Sequence, residues 1–361
     1  MASRTQTDTD DFDTDADDFG GDLAEDVVLE VRNANVSFDM DRGESRVLRD
    51  VNLEVRRGEV LGVVGESGSG KSMLASAMLD AVVSPGQLDG EVIFHPEDGD
   101  PVDVVSLSDR ELTELRWNEI SFVIQAAQSA FNPTMTVGAH FEETLRAHGS
   151  DVEEGLANAR ELLEDLYLPA GQVLRSHPHE LSGGQKQRAL IALSLILEPS
   201  VLVMDEPTAA LDLLMQRSII SLLADLKEKY DLTLVFVTHD LPLVADIADR
   251  LAVMYAFELA EVGPTDAIVE DPAHPYTRAL LKAVPNVADR EIDIAGIPGS
   301  SPDPVHVPEG CSYHPRCPLA DEECRRDDPA FRSVGDDHEA TCFHWEDAAD
   351  EIPFDTEGHD E

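Results

Sequence analysis

Apolar residues fall in two patterns along this chain, short unbroken runs and longer stretches at helical spacing. Val60–Val64 is an unbroken run, as expected of a strand buried on both faces of a parallel sheet. Val201–Met204 and Thr233–Val237 repeat it, Val27–Val31 and Val51–Val55 read as further strands, and Ser121–Ile124 is strand-like. Helical spacing is predicted over Met73–Leu79, over Val152–Leu166, from Ser182 through Leu197 and from Leu241 onward. Strands alternating with helices predict an α/β fold. A bilayer span needs about 18 consecutive apolar residues, and the longest candidate, Ala189–Leu197, is roughly half that.

The first apolar run leads directly into Gly65-Glu66-Ser67-Gly68-Ser69-Gly70-Lys71-Ser72 and then into a helical segment. This is a P-loop in its required context of strand, glycine-rich loop and helix. Gly65, Gly68 and Gly70 let the backbone wrap so that successive N–H groups face phosphate oxygens. Lys71 supplies a point charge to the β- and γ-phosphates, and the Ser72 hydroxyl is placed to ligate Mg²⁺.

Val201–Met204 ends in Asp205-Glu206, and Thr233–Val237 ends in Thr238-His239-Asp240. Ligands of open α/β sheets bind beyond the carboxyl ends of the strands. Asp205 there is expected to hold Mg²⁺, Glu206 to polarise the attacking water, and His239 to contact the γ-phosphate. Ser182 with Gly183 and Gly184 opens a helix with a capping hydroxyl and bare backbone N–H groups, an anion site with no phosphate of its own.

Charge narrows the partners. The chain carries 26 Lys+Arg against 74 Asp+Glu, a net charge of -48, and is 42% hydrophobic. It has enough apolar residues for a core, and no basic patch to attract nucleic acid. Residues 1–26 and 346–361 are expected to be disordered acidic tails, yet residues 27–345 still hold 56 acids and 25 bases. Lysine occurs only at positions 71, 186, 227, 229 and 282. Such a surface suits very high salt, where self-repulsion is screened, and implies a halophilic cell. The N-terminus does not resemble a signal peptide, so an intracellular chain is expected.

The motifs together carry a family. Leu181-Ser182-Gly183-Gly184-Gln185 ahead of Asp205-Glu206 resembles the signature of ABC ATPases; Gln125 resembles the Q-loop glutamine, Ala210-Leu211-Asp212 the D-loop and His239 the switch histidine. The resemblance covers about residues 28 to 260. It implies a RecA-like mixed sheet core with an antiparallel β subdomain and a helical subdomain at about 107–181, within an ATPase domain spanning 27–265. It also implies that the signature, Gln185 included, and Asp212 serve ATP held by a second cassette. Gln125 would sense Mg²⁺ and the nucleophilic water, and Phe38 would stack on adenine unless it is a buried strand residue.

Residues 266–345 sharpen the resemblance. Asp271-Pro-Ala-His274-Pro275-Tyr276-Thr277-Arg278, Gly310-Cys311 and His314-Pro-Arg316-Cys317-Pro look like the tail of dipeptide/oligopeptide importer ATPases, as does Phe131-Asn132-Pro133. That family implies a pentameric importer with a second, commonly paralogous, ATPase, two permeases and an extracellular solute-binding protein, the ATPases lying at the cytoplasmic face of the membrane. Cys311, Cys317, Cys324 and Cys342 lack the paired C-x2-C spacing of zinc ribbons. The resemblance favours a 4Fe-4S cluster, with zinc or free structural thiols as alternatives.

Ala126-Ala127, Ala209-Ala210 and Phe257-Glu258 depart from the family pattern. The phosphate and Mg²⁺ residues are intact, so an active ATPase half-site is expected. Nickel complexes or oligosaccharides are the alternative solutes. A non-transport ABC ATPase is the competing class; only residues 126–180 separate Gln125 from the signature, too few for a DNA-repair coiled coil.

Overall fold

The computed structural model describes residues 26–125, 130–209, 211–283 and 297–352. Residues 1–25 of the expected N-terminal tail, together with Ala126, Ala127 and Ala210, lie outside the described residues.

Two sheets share a core. The smaller is antiparallel, built from β1 (Val27–Met40), β2 (Gly43–Arg56), β4 (Gln87–Phe94) and β5 (Val102–Asp103) in the order β2-β1-β4-β5. The larger has the order β11-β12-β10-β9-β3-β8-β7-β6, in which β10 is Glu258–Pro264, β11 Arg332–Gly335 and β12 His338–Ala340. Its parallel part comprises β3 (Val60–Val64), β6 (Ile120–Val123), β7 (Val201–Asp205), β8 (Thr233–Val237) and β9 (Arg250–Tyr255). The unbroken apolar runs are its central strands, and every residue of β3, β7 and β8 is buried. Helix α1 (Lys71–Ala77) lies between the sheets, where Leu74, Ala75 and Ala77 join one apolar core with Val28, Leu29 and Val203.

Between β6 and β7 the chain forms α2's successors, a helical layer. Helix α2 (Asp109–Leu115) precedes β6, and α3 (Val137–Ala147), α4 (Val152–Asp165), α5 (Ala170–Val173) and α6 (Gly183–Ser194) follow it. Thr136, Asp151 and Ser182 cap α3, α4 and α6 by accepting from backbone N–H groups. Phe141, Leu145, Leu163 and Ile191 pack the layer into the second apolar core. One expectation holds and one needs correction. The strand expected at Ser121–Ile124 runs over Ile120–Val123, beside β7 in the parallel sheet. Helix α6 ends at Ser194, and Glu198 turns the chain with a φ of 55°.

The C-terminal segment continues the large sheet. After α7 (Leu213–Tyr230), α8 (Leu241–Ala245) and β10 (Glu258–Pro264) come α9 (Thr265–Glu270), α10 (Pro275–Lys282), α11 (Glu322–Arg326), β11 (Arg332–Gly335), β12 (His338–Ala340) and α12 (Trp345–Glu351). Strand β12 pairs with β10 through Glu261↔Ala340 and Val262↔Glu339. Glu261 is fully buried and accepts from the backbone N–H of Ala273 at 2.6 Å and of His274 at 3.1 Å, with His338 Nε2 at 2.7 Å. One carboxylate thus pins β12 and the start of α10 to β10. Helix α12 corrects the acidic-tail expectation for its first residues. Ala348 and Ile352 are buried, and this apolar face outweighs the local charge; residues 353–361 lie outside the described residues.

Candidate functional site: a phosphate loop and a cysteine pocket

The phosphate loop leaves β3 under tight constraint. A β-carbon on Gly65, at φ 149°, would stand 2.2 Å from the Met254 carbonyl oxygen, and one on Gly70, at φ 107°, would stand 2.8 Å from that of Val47. Only glycine fits at both places. Among the described residues, the N–H groups of Gly68, Gly70, Lys71 and Ser72 take no backbone acceptor outside the helices and strands, so they are free to face a ligand. Lys71 is buried, and its Nζ donates to the Gly65 and Glu66 carbonyls, both at 2.8 Å. Burial lowers the Lys71 pKa against the opposing pull of Glu206, Asp205 and Glu66.

Strands β7 and β8 deliver the other polar groups to this end of the sheet. Ser72 Oγ donates to Asp205 Oδ1 at 2.9 Å, placing two hard oxygen donors side by side. Asp205 has a raised pKa, chiefly from burial, with Ser72 and Lys71 opposing and Glu206 reinforcing. The backbone N–H of Glu206 donates to the Val237 carbonyl, which fixes the residue against β8. Its carboxylate meets His239 Nδ1 at 2.7 and 2.8 Å. His239 is 60% exposed while Glu206 is 12% exposed, so the imidazole stands at the mouth and the carboxylate within.

The remaining expected residues lie apart. Gln125 is exposed just past β6, the strand beside β7. Ser182 and Gln185 are engaged in a reciprocal cap, with Ser182 N–H to Gln185 Oε1 at 2.9 Å and Gln185 N–H to Ser182 Oγ at 3.3 Å. Asp212 caps α7 through the Met215 N–H, and Met215 packs over Gly184. Signature and D-loop therefore form one surface, flanked by Leu213 and Leu214 at 73% and 82% exposure. Phe38 is half-buried, its ring against Gly86 and Val82.

The four cysteines, all within residues 311–342, converge. Cys311, Cys317, Cys324 and Cys342 line one pocket with His274, Tyr313, His314 and His344. All four are free thiols. Burial, reinforced by the neighbouring sulfurs, pushes Cys311 and Cys342 up to about 12 and also raises Cys317. Among the described residues no three of these sulfurs lie within 4.8 Å of one another, whereas Asp321, Cys324 and His344 do bring their ligand atoms that close.

The sequence matches the family "ABC transporter" over residues 48–209 and the family "Oligopeptide/dipeptide transporter, C-terminal region" over residues 260–324. It is 38% identical to the dipeptide transport ATP-binding protein DppD of Caldanaerobacter subterraneus over 89% of this chain and 98% of that one. The chain belongs to the ATP-binding proteins of the dipeptide/oligopeptide importer family. It is an ABC ATPase subunit, a class that hydrolyses ATP to drive transport, dimerises and works with permease subunits. The oligopeptide transport ATP-binding protein OppD of Salmonella typhimurium is 37% identical over 84% of this chain and 90% of its own. Among solved structures, the dimeric ABC transporter cassette MJ0796 superposes with a TM-score of 0.57 at 29% identity, covering 66% of this chain and 98% of that cassette. CbiO1 of Clostridium perfringens, part of the transporter complex CbiONQ, gives 0.57 at 26% identity over 68% and 92%.

Sequence reasoning assigned no role to Arg316, Tyr276 or Ser301. All three contact Glu66 inside the phosphate loop. The signal lay in the His-Pro-Tyr and His-Pro-Arg-Cys motifs, which marked a family without indicating a contact.

Proposed function

We propose that this chain binds Mg-ATP with Gly65–Ser72 and hydrolyses it at an interface completed by the signature of a second cassette, powering uptake of dipeptides or oligopeptides. The observation that carries the reading is the meeting of Ser72, Asp205, Glu206 and His239 at the carboxyl ends of β3, β7 and β8. Lys71 turns from its own loop carbonyls to the β- and γ-phosphates. Ser72 and Asp205, with Gln125, would hold Mg²⁺, which would supply charge neutralisation at the phosphate oxygens. Glu206 accepts a proton from the attacking water, and His239 keeps that carboxylate oriented and reaches the γ-phosphate. The products are ADP and phosphate. Phe38, anchored on Gly86, offers the rest of its ring to adenine.

Ser182, Gly183, Gly184, Gln185 and Asp212 face the ATP of the partner, a second ATPase chain that is a paralogue or a second copy. Two permeases and an extracellular solute-binding protein complete the importer, and the chain sits peripherally at the cytoplasmic membrane face. Among the described residues no helix is long and apolar enough to cross a membrane, so attachment rests on contacts with the permeases. The acid-rich surface points to a halophilic cytoplasm, where molar salt screens it.

The cysteine pocket fits a metal group. Thiols held protonated by burial become good ligands once a cation displaces their protons. Four thiols lining one pocket could hold a 4Fe-4S cluster, while Asp321, Cys324 and His344, whose ligand atoms lie within 4.8 Å of one another, offer a zinc ion an alternative set. Such a cluster would brace the loops it joins.

Reconstitution with its permeases tests the transport reading. ATP turnover should rise when peptide-loaded binding protein is added. A response to a nickel complex or an oligosaccharide, with none to peptides, would overturn the solute assignment.

A further inference from the structure

Glu66, the second residue of the phosphate loop, is held by the C-terminal segment through three different groups. Its backbone N–H donates to Tyr276 Oη at 2.8 Å. Its carboxylate accepts a two-pronged pair from Arg316, Nη1 to Oε2 at 2.6 Å and Nη2 to Oε1 at 3.0 Å, and a third bond from Ser301 Oγ at 3.0 Å. The fourth polar group, the Glu66 carbonyl, faces Lys71 Nζ. Glu66 is thus an anchor whose outer side belongs to the C-terminal segment and whose inner side touches the phosphate lysine.

Arg316 is itself tightly placed. Its side chain is 5% exposed, and its other bonds run to the Pro298 carbonyl at 2.6 Å, the Ile297 carbonyl at 3.3 Å and the Tyr255 hydroxyl at 3.4 Å. The guanidinium lies over the rings of Tyr255 and Tyr313, 5.6 and 6.0 Å from their centroids. Tyr276 packs on the same two rings, at 4.5 and 5.5 Å. A planar fork so fixed matches a carboxylate in one orientation only. Arg316 also immediately precedes Cys317, so the cysteine pocket and the phosphate loop share this wall.

We propose that Arg316, assisted by Tyr276, is a positioning residue for the phosphate loop. Acting through Glu66, it fixes the loop's first turn so that the N–H groups from Gly68 to Ser72 converge before ATP arrives. Ordering completed in advance is not charged against binding. Order in the cysteine-bearing loop is thereby transmitted to nucleotide affinity. The inference rests on Gly65–Ser72 being the ATP site.

The test uses the full chain in molar KCl, reading the Kd of a fluorescent ATP analogue, steady-state hydrolysis and thermal stability. Arg316→Ala is expected to raise Kd and the KM for ATP together by about ten-fold, with kcat falling less than about three-fold. Arg316→Lys should recover part of the loss. Glu66→Ala should match Arg316→Ala, and the double variant should be no worse than either single one, because the two act as a unit. Tyr276→Phe removes one oxygen and should raise Kd about two- to three-fold; with Arg316→Lys it keeps the test open if the alanine variant does not fold. A Kd unchanged in Tyr276→Phe and Arg316→Lys, or losses that add in the double variant, would overturn the proposal. Lys71→Ala separates the two readings. If it too binds the analogue normally, the ATP site itself is wrong; if it loses binding while the Arg316 and Tyr276 variants keep theirs, only the positioning role fails.

Discussion

Lys71, Asp205 and His239 reach their site from the ends of adjacent parallel strands or the loop that follows one, whereas Cys324 reaches its pocket from the short helix α11 and Cys311, Cys317 and Cys342 from loops around it and the β11–β12 hairpin. In the first region the sheet does the positioning. Once β3, β7 and β8 pair in register, with Val63↔Val237 and Asp205↔Val237, their polar ends are already side by side. In the second region local bonds tie only three of the four together, the Cys311 N–H donating to the Cys324 carbonyl and the Cys317 N–H to that of His314. Cys342 joins them because β12, which precedes it, docks on β10 and a buried Glu261 ties both to α10. Loss of one contact to the C-terminal segment should therefore cost the nucleotide site affinity while leaving its turnover largely intact, whereas the cysteine pocket should depend on that docking.

Lys71→Ala is expected to give the largest effect of those that probe this contrast. Removing a charge-assisted contact to phosphate costs about 1.5–3 kcal/mol, so ATP affinity should fall roughly ten- to hundred-fold while the fold, read by circular dichroism, stays intact. Next, Cys311→Ser or Cys342→Ser should abolish bound iron and visible absorption in protein purified without oxygen, yet lower ATP turnover less than about ten-fold. Equal losses of iron and hydrolysis would mean that the two regions are one site. Colourless wild-type protein with stoichiometric zinc would remove the cluster.

A smaller effect concerns the seam between the regions. Glu258 is pushed up to about 7 by burial and by Asp328, against Arg49 and Ser312. The native state then keeps a proton that the unfolded chain loses above about pH 4.5. Stability from this group is whole below that pH and is lost as pH rises through 7. Thermal melts from pH 5 to 7.5 should accordingly fall more steeply for wild type than for Glu258→Gln. The smallest expected change is in Phe38→Ala, where losing one aromatic face costs about 1 kcal/mol, a rise in the KM for ATP of roughly five-fold.

This contrast also governs what could be read from the sequence. The phosphate loop, Asp205-Glu206 and His239 follow short apolar runs that any parallel strand of this type shows, so contiguous residues carried both the fold and the chemistry. Ser182 was legible as a cap for the same reason, since capping is local. The end of α6 at Ser194 was not, because Leu195 and Ile196 are apolar for packing and so prolong the helical pattern past its stop. The strand at Ile120–Val123 was legible as strand-like, but α12 was not, because it forms only where Ala348 and Ile352 find a core. Arg316 reaches Glu66 across 250 residues. No spacing rule predicts such a contact.

The most direct test of the strand-end site compares wild type with Glu206→Gln, measuring phosphate release and retained nucleotide on the same samples in molar KCl. Phosphate release should fall at least about hundred-fold while Mg-ATP stays bound and holds the chains as dimers, because the variant keeps the phosphate loop and loses the base. Equal turnover by the two proteins would contradict the account.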